Sequence, residues 1–190
     1  MESSVRCSMI FIGFSVLIIT TAEAQKAHVH GTAVLTLAVE YKNLEIQFES
    51  PATNLVGFEH DASSPDEKQA VKQAEAILES SDLLFSFFGT SCEPEETTVD
   101  MAGVTGDQHG HHDHSRGHNE STHSESTHSE IRAHYRFVCK DAESLKSVST
   151  ALFHRFPGIE AINAIWVSAS QQGTEWLRPD RNTFSLNKKQ

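Results

Sequence analysis

Seven of the chain's twelve histidines fall between Thr105 and Glu130: His109, His111, His112, His114, His118, His123 and His128. Neutral imidazole is a good ligand for zinc, nickel and Cu(II). Close spacing lets a flexible chain wrap several rings round one ion. Asp107, Asp113, Glu120, Glu125 and Glu130 add negative charge and oxygen donors. The stretch has no cysteine or methionine, which argues against a dedicated Cu(I) site. Its composition is polar throughout, with a tandem Ser-Thr-His-Ser-Glu at 121–130. Nothing in it can build a core, so it reads as a disordered loop. Without preorganisation each ion must order the chain, so moderate affinity and several ions are expected.

A second constellation lies outside the loop. His28 and His30 are two residues apart at the start of an apolar run. On a strand, residues i and i+2 share a face, so both rings reach one metal. His60, in Phe58-Glu59-His60-Asp61, offers a third imidazole with carboxylates beside it. His134 is a candidate fourth ligand. His154, next to Phe153, reads as structural or surface. Signatures of catalysis are missing: there is no HExxH, no Gly-x-Ser-x-Gly and no phosphate-binding glycine loop. The formal charge of -11 argues against nucleic acid and anionic lipid as partners and suits cations.

These ligands need a scaffold. Ala33 to Val39 is β-compatible, and Leu44, Ile46 and Phe48 alternate with polar residues, so two strands joined through Tyr41-Lys42-Asn43 are expected. Over 64–80, Ser64, Pro65 and Glu67 make the capping pattern of a helix, with Val71, Ala74, Ile77 and Leu78 as its apolar stripe. Leu83 to Phe88 is apolar and undecided between helix and strand. Tyr135, Phe137 and Cys139 alternate as a strand. Asp141 is read as the cap of a second helix carrying Leu145, Val148 and Leu152, stopped at Pro157-Gly158. Ile162 to Val167 and Thr183 to Leu186 read as strands. The class is α+β: one domain with an antiparallel sheet, helices packed on one face and the disordered His-rich loop 105–130 inserted.

The N-terminus reads as a signal peptide over residues 1–24. Arg6 is followed by an apolar run from Met9 to Ile19 and by Ala22-Glu23-Ala24, with cleavage expected after Ala24. The domain then spans 25–190, lies in the periplasm and carries no membrane segment. Export leaves Cys92 and Cys139, an even number in an oxidising compartment, and a disulfide is the expectation. The alternative is a pair of thiolate ligands, although neither cysteine has a neighbour at zinc-ribbon spacing.

Four segments, in order, form a recognisable series: His28-Val29-His30-Gly31 leading into Ala33–Val39; Glu49-Ser50-Pro51-Ala52 with Val56-Gly57-Phe58-Glu59-His60; Tyr135-Arg136-Phe137-Val138-Cys139; and Leu152-Phe153-His154-Arg155-Phe156-Pro157-Gly158. The chain resembles the ZrgA-type periplasmic zinc-binding proteins over nearly all of the expected mature sequence. The resemblance implies a protein that assists zinc uptake beside a zinc ABC importer or its binding protein. It also implies that His28, His30 and His60 match the family's His-x-His-Gly and Gly-Phe-Glu-His motifs, and that Cys92 and Cys139 match its cysteine pair. The segment before Tyr135 departs from the family pattern, with Arg132 and His134 where a histidine and an acid are usual.

Three functions compete. A zinc-uptake accessory gathers ions on the loop and holds one in the folded part. A periplasmic buffer for zinc, nickel or Cu(II) would bind similarly and contact no transporter. A metal-dependent hydrolase would need an open coordination position in a cleft.

Overall fold

The computed structural model describes residues 29–105 and 129–186. The elements run β1 (Thr32–Glu40), β2 (Asn43–Pro51), α1 (Thr53–Val56), α2 (Pro65–Glu79), α3 (Ser81–Leu84), β3 (Phe85–Phe88), β4 (Cys92–Asp100) and α4 (Ala102–Thr105). Then come β5 (Glu130–Cys139), a 3-10 turn (Ala142–Ser144), β6 (Ser147–Thr150), α5 (Leu152–Arg155), β7 (Ala161–Val167), β8 (Gln172–Leu177) and β9 (Thr183–Ser185). Six strands form one sheet in the order β4-β5-β2-β1-β7-β8, and β3-β6-β9 form a second, smaller sheet.

Alternation explains the large sheet. Leu35, Leu37, Leu44, Ile46, Phe48, Tyr135, Phe137, Ile162, Ala164 and Trp166 all point to one face and are buried. The same core holds Val71, Ala74 and Leu78 of α2, Val148 of β6 and Phe184 of β9, so the helix and the small sheet cover that face. Tyr135 has its ring edge-on to Phe85, and burial pushes its phenol well above the usual tyrosine range. The opposite face is open and carries Arg132, His134 and Arg136 beside Glu45 and Glu49. No helix among the described residues is long and apolar enough to cross a membrane.

The fold is α+β, and it departs from the sequence reading in several places. The large sheet is antiparallel except where β1 lies parallel to β7, Thr32 opposite Ala161 through Ala38 opposite Val167. The helix expected from Asp141 to Phe156 does not form. Asp141 makes no side-chain cap, and Ser147–Thr150 is a strand pairing with β3 on one side and β9 on the other. Val148 and Thr150 are buried while Ser147 and Ser149 are half-exposed, a period of two that the helical spacing of Leu145, Val148 and Leu152 masked. Serines and threonine with a β-branched valine are poor helix interior, and two waiting strand edges decide the outcome.

Cys92 stands directly opposite Cys139 across β4 and β5, and the two form a disulfide. It staples one end of this hairpin. The chain from 106 to 128, which holds the seven loop histidines, connects the other end. Strand β4 gave no sequence signal because it is an edge strand, exposed along most of its length, with a register shift at Pro94 to Glu96.

Candidate metal centre

The start of β1 is held by backbone contacts from two distant segments. Gly31 has φ +80°, and its N–H donates to Asn54 Oδ1 at 2.8 Å. Its carbonyl accepts from the N–H groups of Glu160 (2.7 Å) and Ala161 (3.0 Å). Asn54 is buried and donates through Nδ2 to the Thr32 carbonyl and the Ser50 hydroxyl, so one side chain ties β1, β2 and α1 together. Gly158 sits in the turn closed by the Ile159 N–H to Phe156 carbonyl bond. A Cβ on Gly158 would fall 2.5 Å from the Asn54 carbonyl oxygen, so only glycine lets the two segments touch. Three of the four sequence motifs therefore meet at one corner, next to His30.

Gly57, with φ +90°, ends α1 and turns the chain into Phe58-Glu59-His60. Glu59, rather than His60, comes onto His30: Nε2 of the ring is 3.1 Å from Glu59 Oε1, an oxygen shut off from solvent. The His60 ring turns the other way. It packs on Phe58 with ring centroids 4.9 Å apart, and its Nε2 lies 3.1 Å from Glu67 Oε1. Glu67 is the capping residue of α2, and its Oε2 accepts from the backbone N–H groups of Ser63 and Ser64, both at 2.8 Å. Those backbone bonds, with His60 and the Ser63 hydroxyl, hold the Glu67 carboxyl at about 2. A neutral ring that donates Nε2–H to Glu67 presents Nδ1 as a lone pair for a metal.

The two ends of the His-rich loop reach this corner. The Ala62 N–H donates to the Val104 carbonyl at 2.8 Å, and the Ser129 hydroxyl donates to the Glu59 carbonyl at 3.0 Å. The Ala52 N–H also donates to the Ser129 carbonyl at 2.8 Å. Both stems of the loop are thus fixed to the segment that carries Glu59 and His60.

The family described as "ZrgA family zinc uptake protein" matches residues 27–186. The chain belongs to this ZrgA family. No curated protein matches it. Membership points to a part in zinc uptake.

Within this ZrgA-family chain the candidate ligands divide. The structure places His30 and the Phe58–His60 loop together. It places His134 elsewhere, on the open sheet face opposite Gln47 and Thr98. There its Nε2 is 3.8 Å from Glu45, and Arg132 and Arg136 flank it on the same face. Two guanidiniums beside the ring oppose a dication. His154 is exposed on α5. His28, together with His109, His111, His112, His114, His118, His123 and His128, lies outside the described residues, as does the segment 1–24. Among the described residues, no three side chains of His, Cys, Asp and Glu stand close enough to hold a metal as they are. Sequence reasoning missed Asn54 and undervalued Glu59. Asn54 carries no motif of its own, whereas Glu59 stood beside a named histidine.

Proposed function

We propose that this is an exported, periplasmic zinc-binding protein that assists zinc acquisition, with the His-rich loop gathering ions and the corner at His28, His30 and His60 holding one. The observation that carries the reading is the attachment of both loop stems to the segment 59–62, through Ser129 to Glu59 and Val104 to Ala62. Ions collected on the loop are thereby kept at a high local concentration beside the folded histidines. Seven imidazoles and several acids on the loop support capture, and the family supports zinc as the ion. Delivery from the corner to a zinc ABC importer, or to its binding protein, completes the reading.

Growth in zinc-poor medium tests it. Cells without the chain are expected to grow more slowly when zinc is limiting, with growth restored by the intact chain and not by one lacking both residues 106–128 and the His30 ring. Equal growth of all strains in chelated medium would sink the acquisition role and leave, at most, a buffer.

A further inference from the structure

The geometry points to Glu59 and Glu160 as oxygen ligands that join His30 on one zinc ion, a mixed imidazole–carboxylate site. This rests on the reading that the folded corner holds zinc.

The His30–Glu59 contact already has the bite of a zinc site. Two ligands about 2.0 Å from zinc at a tetrahedral angle stand about 3.3 Å apart. His30 Nε2 and Glu59 Oε1 are 3.1 Å apart, so an ion enters between them with little movement. The position of Glu59 is fixed from behind, because its carbonyl accepts the Ser129 hydroxyl.

Glu160 supplies the third donor. Its backbone N–H is bonded to the Gly31 carbonyl at 2.7 Å, which locks it next to His30. Its side chain lies over the spot that a larger residue at position 31 would occupy: a Cβ there would meet Glu160 Cδ at 3.1 Å and Oε2 at 3.2 Å. The missing side chain of Gly31 is what seats the carboxylate. Glu160 is exposed, and its carboxylate is the one donor that the site requires to swing, about its own side-chain bonds, toward the His30 ring. Two carboxylates at one corner attract a dication, and carboxylate oxygens join imidazole nitrogen in zinc sites.

The test uses the full chain and zinc alone. Nitrogen-15 NMR of the imidazole rings follows the first equivalent of zinc, and chelator competition measures the tightest affinity. The expected result is a His30 ring that responds to the first equivalent, with Glu59→Gln and Glu160→Gln each weakening the tightest site about tenfold or more. Glutamine keeps the shape of the side chain, and exposed Glu160 gives a variant whose folding is not at stake. A His30 ring that responds in both variants with unchanged affinity would overturn the carboxylate assignment and leave the corner as a zinc site. A His30 ring silent to the first equivalent in the unaltered chain would overturn both.

Discussion

The His30 imidazole lies 3.1 Å from the Glu59 carboxylate, whereas the ring of His60, the next residue along, is 3.1 Å from Glu67. Neighbours in sequence are thus directed to different partners. His30→Ala is expected to weaken the tightest zinc site by about tenfold or more, and His60→Ala by less, because the His60 ring is directed to Glu67 and not to the His30–Glu59 pair. Chelator competition on the two variants measures the order. A larger loss for His60→Ala would place the tight site on the Glu67 side.

Glu67 gives a pH dependence of defined sign. Its carboxyl is held at about 2, below the ordinary glutamate value of 4.5, by the Ser64 and Ser63 backbone N–H groups first, then by His60 and the Ser63 hydroxyl. A lowered folded value contributes stability above the unfolded value, and that stability is lost as pH falls toward the folded one. The melting temperature of the zinc-free chain should therefore exceed that of Glu67→Gln above pH 4.5, and the gap should narrow toward pH 2. A gap independent of pH would mean that the carboxylate charge plays no part in the cap.

Gly158→Ala should be disproportionately costly for a surface turn. The new Cβ would fall 2.5 Å from the Asn54 carbonyl oxygen, and Asn54 holds Gly31 in place. Overpacking of this kind costs about 1–3 kcal/mol, and here it also displaces the seat of His30. Denaturant unfolding checks the first effect and zinc affinity the second. A loss of stability with unchanged zinc affinity would uncouple the corner from the metal.

The disulfide should matter for stability and not for metal. Cys92 and Cys139 close the end of the β4–β5 hairpin away from the loop. Replacing both with serine is expected to cost about 2–4 kcal/mol, the usual range for a bridge across a long loop. Zinc stoichiometry should stay the same at temperatures where the variant is folded. A fall in stoichiometry on mild reduction would implicate the thiols in binding.

The sequence made much of this legible where local signals were strong. Ser64, Pro65 and Glu67 foretold α2 because a capping box is local, and Leu44, Ile46 and Phe48 foretold β2 because alternation survives without context. Val148 misled because three apolar residues at helical spacing also fit a short strand, and only the edges of β3 and β9 choose between them. At the site, His30 and His60 were visible as residue types. Their partners, Glu59 for His30 and Glu67 for His60, were not, since the glycine turns at 31 and 57 direct the chain there and the close approach at Gly158 holds the corner together. His134 stood out by type as well, but the arginines on either side of it become neighbours on one face only when the strand forms.

The most direct test is a zinc titration against a chromophoric chelator, with and without residues 106–128. The stems are close enough for a short linker, since a Cβ on Gly103 would lie 3.0 Å from that of Ser129. The expected result is a lower stoichiometry with one tight site retained, and loss of that site when His30→Ala is added. If the deletion alone abolishes tight binding, the loop is the holder as well as the gatherer, and the folded corner is not the zinc site.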